Sequence, residues 1–332
     1  MAARVMTGAH ITGWGSALPD TVVTNEDMTT LFETSDEWIV ERSGIRTRRA
    51  ATGPFVPEQP PAHPKEGLGT TGALAVAAGK KALAVAGVQA SDVGLLILCT
   101  TTPDQLIPAS SAAASAGLGI GGGAMDVNAA CAGFTYGLVT AAGMVAAGLE
   151  KVLLVGSETL TRATNWDDRT NAFLFGDGAG AVVVEACPGE SSLLGWDLGV
   201  DGTLVPLLYA DHGSPGMVMR GQEVFRKAVR VTVDSATASM ERAKVTADDI
   251  ALFVPHQANI RIMEAAASRL GLPEEKVASV IDKTGNTSSA SIPLALIDAV
   301  ESGRLKDGDL VLLAGFGAGM TWASAVWRWG RR

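Results

Sequence analysis

Cysteine is scarce in this chain, with three among 332 residues and none in a CxxC pair. Three thiols cannot all pair with one another, so neither a disulfide framework nor a zinc ribbon organises the fold, and no metal site is expected. A reducing, cytoplasmic setting is the natural one. Charge is sparse too, at 18% against 47% hydrophobic residues, a balance incompatible with disorder. Basic residues are in deficit: 26 Lys and Arg against 35 Asp and Glu leave a net charge of −9. That argues against sequence-independent nucleic-acid binding but leaves room for a local basic patch. Aromatic residues are few (7 Trp, 8 Phe, 2 Tyr) beside 39 Gly, so packing must rely on close backbone approach. No apolar block of the signal-peptide kind follows Met1. One uncharged stretch, 127–149, is long enough to span a bilayer, but it is mostly Ala, Gly and Thr with Asn128, and reads as a helix buried in protein.

What is present is an alternation of Val- and Leu-rich runs with Ala-rich segments, the pattern of an α/β fold. Strands are expected at 94–100, 124–128, 151–156, 180–185, 251–255, 310–314 and 322–329. Helices are expected at 70–86, 133–147, 221–243, 261–270 and 293–302. The strand runs are nearly continuous rather than alternating, as in a sheet covered on both faces. Segments also repeat. Val88-Gln-Ala-Ser-Asp-Val93 between a helix and a strand returns as Val245-Thr-Ala-Asp-Asp-Ile250, and Val152-Leu-Leu-Val-Gly156 returns as Val311-Leu-Leu-Ala-Gly315. The nearly constant offset implies two similar halves, 1–185 and 186–332. A proline-rich loop at 54–64 is either plain surface or a lid.

Three polar residues stand out against this background. Cys131, in Asn128-Ala-Ala-Cys-Ala-Gly-Phe134, lies between a strand and an uncharged helix, where a helix N-terminus favours thiolate; a buried structural thiol is the alternative. Cys99 and Cys187 fit the structural reading. His256 follows the apolar run 251–255, a place for either a catalytic or a satisfied core histidine. His10, His63 and His212 read as solvated. Asn286, in Thr284-Gly-Asn-Thr-Ser288, could equally serve a turn. Two glycine patterns match dinucleotide fingerprints only in wording. Gly117, Gly119 and Gly122 follow no strand, and Gly176, Gly178 and Ala181 precede a strand rather than a helix. No nucleotide cofactor is therefore expected. Gly315-Phe-Gly-Ala-Gly319 could aim backbone N–H groups at an oxyanion.

Six segments in order resemble the β-ketoacyl-acyl carrier protein (ACP) synthase III family. They are Thr34-Ser-Asp-Glu-Trp-Ile39, Ala129-Ala-Cys-Ala-Gly-Phe134, Phe175-Gly-Asp-Gly-Ala-Gly180, Val254-Pro-His-Gln-Ala-Asn259, Gly285-Asn-Thr-Ser288 and the Gly315 loop. The resemblance implies a thiolase-like five-layered α-β-α-β-α fold built from two similar halves. It implies that acyl-CoA acylates Cys131, and that His256 and Asn286 assist decarboxylation of malonyl-ACP, whose carbanion then attacks the thioester. The backbone N–H groups of Cys131 and Ala318 would form the oxyanion hole; the family usually has Gly at 318. Thr34, Trp38, Arg42, Arg169, Gly221 and Gln222 would bind CoA, with Trp38 and Arg169 stacking on the adenine. Gln257, Ala258, Asn259, Ile260 and Arg261, with Arg226 and Arg269, would contact the carrier protein. Ile107, where relatives often have Phe, would gate the acyl pocket across a homodimer interface. Acyl-CoA and malonyl-ACP are substrates, so no cofactor is implied; neither membrane nor nucleic acid is a partner. An acyltransferase of the same fold that omits decarboxylation is the alternative activity. A silent partner subunit is disfavoured by the intact Cys131 motif.

Overall fold

A computed structural model describes residues 7–56, 69–212 and 216–330. Two sheets dominate it. The first contains β1 (Thr7–Ala17), β2 (Leu95–Cys99), β3 (Gly123–Val127), β4 (Lys151–Thr159) and β5 (Asp177–Pro188), in the order β1-β5-β4-β2-β3. The second contains β6 (Leu193–Val200), β7 (Ile250–Pro255), β8 (Leu310–Gly317) and β9 (Thr321–Arg328), in the order β7-β8-β9-β6. Laid side by side, β6, β9, β8 and β7 repeat β1, β5, β4 and β2 with the same directions: two antiparallel pairings, then a parallel one. Only β3 has no counterpart. The repeated segments of the sequence fall on these equivalents, 152–156 in β4 and 311–315 in β8. Strand β5 runs through the division expected after residue 185.

The helices complete five layers. Helices α2 (Thr71–Ala86) and α3 (Ser110–Leu118) cover the outer face of the first sheet. Helices α4 (Gly133–Ala146) and α7 (Ser291–Glu301) lie between the sheets. The outer face of the second sheet is covered by α5 (Gly221–Ala243) and α6 (Ile260–Leu270). The small α1 (Asp36–Ser43) lies beside α6. Both faces of β4 are thus buried. Val152 and Leu154 enter the central core while Leu153 and Val155 enter the outer one, which is why the run is continuous rather than alternating. The uncharged stretch becomes α4, whose Phe134, Leu138 and Ala141 are fully buried between the sheets. Among the described residues no helix is long and apolar enough to cross a membrane.

The expected elements recur with ends shifted by a few residues, and of the elements named above four were not anticipated: β1, β6, α1 and α3. Strand β1 carries Gly8, Gly13 and Gly15, which weaken any strand signal. A Cβ at Gly13 would stand 2.2 Å from the Ala82 carbonyl oxygen, so glycine is what lets α2 lie directly on the sheet. His10, expected to be solvated, is instead 5% exposed on β1, with Nδ1 2.9 Å from the Ser192 hydroxyl. His212 is exposed as expected. His63 and residues 57–64 of the proline-rich loop lie outside the described residues.

Candidate active site

A cavity of about 1220 Å³ opens where the C-terminal ends of both sheets meet, and Cys131, His256 and Asn286 all line it. Each arrives on a different kind of backbone. Cys131 lies in the turn between β3 and α4, after Ala130, which adopts a left-handed φ of 48°. His256 directly continues β7: its N–H donates to the Ala314 carbonyl of β8 at 2.8 Å, prolonging the parallel ladder by one residue. The backbone of Asn286 is clamped to the start of the glycine-rich 175–180 segment. Its N–H donates to Leu174 O at 2.8 Å, and its carbonyl accepts from Gly176 N at 3.0 Å. Asn286 Oδ1 accepts the Ser288 N–H at 2.9 Å, leaving the amide nitrogen as the side chain's donor. Ser288 has a φ of 47°. Non-glycine residues in this region each cost on the order of 1–3 kcal/mol, and both line the one cavity.

The end of β8 is pressed onto the nucleophile's backbone. A Cβ at Gly317 would lie 2.5 Å from the Cys131 nitrogen, and one at Gly315 would lie 3.0 Å from Ala132 Cα. That contact sets Ala318 beside Cys131, both on the cavity wall. Two backbone N–H groups there can address one oxyanion.

Electrostatics correct one expectation. The position before α4 favours thiolate, yet burial pushes the Cys131 thiol up to about 12; the Ser288 hydroxyl lowers it by less than burial raises it, and the Glu158 carboxylate adds a smaller rise. The helix terminus does not outweigh desolvation. His256 is 2% exposed, packed edge-on against Phe316 at 5.4 Å between centroids, and burial pushes its pKa down to about 3. The resting pair is neutral thiol and neutral imidazole. Sequence reasoning missed Glu158, although an acidic residue ending a fully apolar run is itself the signal that a buried charge has been given partners.

Comparison with known proteins identifies the arrangement. Two family models match: 3-oxoacyl-[acyl-carrier-protein] synthase III at residues 125–202 and the C-terminal model of the same synthase at 240–329. A β-ketoacyl-ACP synthase III from Bacillus cereus is 44% identical over 97% of this chain and 99% of its own length. One from Roseiflexus castenholzii is 45% identical over 97% and 98%. The chain belongs to the β-ketoacyl-ACP synthase III family. Among solved structures, the synthase III of Aquifex aeolicus superposes with a TM-score of 0.89 at 38% identity, covering 97% of this chain and 100% of its own. The priming β-ketosynthase of the R1128 polyketide pathway gives 0.88 at 36% identity, covering 99% and 98%. The five layers are accordingly those of the thiolase fold.

Within this synthase III framework, the expected CoA residues divide. Trp38 lines the cavity, with the Arg42 guanidinium 4.5 Å and that of Arg169 5.9 Å from its ring centroid, and Phe173 edge-on at 5.2 Å. Arg42, Gly221 and Gln222 also line it, whereas Thr34 and Arg169 do not. A Cβ at Gly221 would meet nothing within 4 Å, so open space stands over the start of α5. Of the expected carrier contacts, Arg226, Ala258, Asn259 and Arg261 ring the mouth. Asn259 caps α6 by accepting from Arg261 N, and donates through Nδ2 to Arg42 O at 2.7 Å. Arg269 is exposed at the far end of α6. Ile260 is partly buried against Gly44. Gln257 is a correction: it is 0% exposed, because its amide donates to Pro255 O and Ala278 O and accepts from Val280 N. It braces the 278–280 segment and presents nothing to a partner. Ile107 lies outside this chain's cavity, 86% exposed beside Leu106 at 80%.

Proposed function

We propose that this protein takes an acyl group from acyl-CoA onto Cys131 and condenses it with malonyl-ACP. The carrying observation is that Cys131, His256 and Asn286, from three distant segments, line one cavity against the Gly317–Ala318 backbone. In the first step the Cys131 sulfur attacks the thioester carbonyl and CoA leaves as its thiol. Burial of the sulfur and the imidazole disfavours a separated thiolate–imidazolium pair, so the proton leaves sulfur as the carbon–sulfur bond forms and departs on the CoA thiol. The charge develops on the carbonyl oxygen between the Cys131 and Ala318 N–H groups. In the second step the malonyl carbon–carboxylate bond breaks. Carbon dioxide departs, and the electron pair passes through an enolate whose oxygen is held by the Asn286 amide and a His256 N–H. The enolate carbon then attacks the acyl–Cys131 carbonyl, and the sulfur leaves and takes up a proton from solvent. Neutral His256 suits this step, because its low pKa keeps a neutral donor at every physiological pH.

The mouth chemistry supports the partners. Trp38 with Arg42 and Arg169 offers a flat ring and two cations to an adenine nucleotide. Arg226 and Arg261 give an otherwise acidic protein a local attraction for an acidic carrier. The outer edge of β3, the end strand of its sheet, together with exposed Leu106 and Ile107, supports a homodimer. The scarcity of cysteine suits a cytoplasmic, reducing setting.

Intact-protein mass tests the reading. Acyl-CoA should add one acyl mass to the wild type and none to Cys131→Ala. His256→Ala and Asn286→Ala should still acylate but release no carbon dioxide from malonyl-ACP. Acylation persisting in Cys131→Ala would move the nucleophile elsewhere. A wild type that passes its acyl group to the carrier without decarboxylation would be a plain acyltransferase.

A further inference from the structure

We propose that Glu158 is a positioning residue: its carboxylate holds the 286–289 turn, and with it Asn286, against the end of β2. The proposal rests on the reading of Asn286 above.

Glu158 is the penultimate residue of β4 and is 0% exposed. Among the ion pairs of the described residues none includes it. Its partners are donors drawn from two other segments. From the end of β2 come the Thr100 hydroxyl at 3.0 Å, the Thr101 N–H at 3.1 Å and hydroxyl at 3.2 Å, and the Thr102 N–H at 3.1 Å and hydroxyl at 2.6 Å. From the 286–289 turn come the Ser289 hydroxyl at 2.8 Å and N–H at 3.3 Å. Thr101 and Thr102 line the cavity, as do Asn286 and Ser288. The fit is tight, since a Cβ on Gly156 of β4 would lie 2.3 Å from the Ser289 carbonyl oxygen. One carboxylate therefore fastens the turn to the end of β2.

The test separates the two half-reactions, with acylation of Cys131 followed by intact-protein mass and decarboxylation by carbon dioxide release from malonyl-ACP. Ser289→Ala leaves the carboxylate in place, and Glu158→Asp keeps the carboxylate but shortens its reach to Ser289. Each should lose decarboxylation by roughly tenfold while acylation stays within about twofold. Should Glu158→Asp fail to fold, Ser289→Ala still decides. Undiminished decarboxylation in Ser289→Ala, or an equal loss of both half-reactions, overturns the staple. A wild type that acylates but releases no carbon dioxide refutes the proposed function instead.

Discussion

Gly317 adopts ordinary extended backbone at φ −160°, so conformation does not require glycine there. Space does. A methyl group would stand 2.5 Å from the Cys131 nitrogen and 2.6 Å from Ala130 Cβ, and neither atom belongs to a flexible side chain. Gly317→Ala must therefore push β8 away from the 129–131 turn. Overpacking of this kind costs about 1–3 kcal/mol. Displacing the Ala318 N–H relative to the sulfur should slow acylation by on the order of 100-fold. Acyl-labelling rates and urea unfolding read the two effects separately, and an unaltered labelling rate would detach Gly317 from the oxyanion site. Local context alone left His256 and Asn286 with a structural reading as good as a catalytic one, and it was the six segments in family order that singled out Cys131, His256 and Asn286, which fold to one cavity. The charge state of Cys131 was not legible, because desolvation is set by walls that come from remote segments. Gln257 misled for the same reason: beside a histidine it reads as surface, and only the Ala278 carbonyl and Val280 N–H, more than twenty residues away, turn it inward.

Elements were readable wherever apolar runs are long, as in β4 and β8, and obscure where glycine or alanine stands against a neighbour's backbone, as in β1 and α3. Strand β5 shows how a polar residue can fasten such elements together. Asp177 at its start is fully buried and accepts from the Thr161 N–H at 2.9 Å, from the Thr161 hydroxyl, and from the Ala51 N–H at 2.7 Å. It thus joins the turn after β4 to the loop after residue 50. Burial raises its pKa from 3.8 to about 6 despite those bonds. The folded value lies above the unfolded one, so the folded protein holds this proton more tightly. The resulting stabilisation is fully present below about pH 4 and is lost as pH rises through about 6. Two units correspond to about 3 kcal/mol. Asp177→Asn removes the titration while keeping a side chain of the same shape. Urea unfolding should show wild type losing stability relative to Asp177→Asn between about pH 4 and pH 7. Parallel curves across that window would place the proton elsewhere.

At the scale of the whole molecule, duplication explains why the repeat could be seen and why the site lies where it does. Equivalent strand ends, β2 and β4 from one sheet with β7 and β8 from the other, converge on the cavity and each delivers part of the chemistry. The unmatched β3 breaks the symmetry and leaves a free sheet edge, and the loop between β2 and α3 carries Leu106 and Ile107, the most exposed large apolar side chains among the described residues. That prong is firmly mounted. Asp104 accepts from the first N–H groups of α2, Thr71 and Gly72, at 3.0 and 2.8 Å and pairs with Arg162 at 3.3 Å, while Asp126 caps α3 at the other end. A rigid mount carrying Leu106 and Ile107 into solvent suits insertion into a second copy, where Ile107 would close the acyl pocket. Leu106→Asp should then sediment as a monomer where the wild type sediments as a dimer. Isoleucine is smaller than the phenylalanine often found at this gate and lacks its flat ring, so the pocket should keep extra depth. Each additional buried methylene contributes about 0.8 kcal/mol, roughly a fourfold preference, until the pocket is full. Wild type should accordingly favour butyryl-, isobutyryl- or hexanoyl-CoA over acetyl-CoA in kcat/KM, and Ile107→Phe should shift the preference towards acetyl-CoA. A wild type that strongly prefers acetyl-CoA, unchanged by that substitution, would mean that residues of the same chain close the pocket.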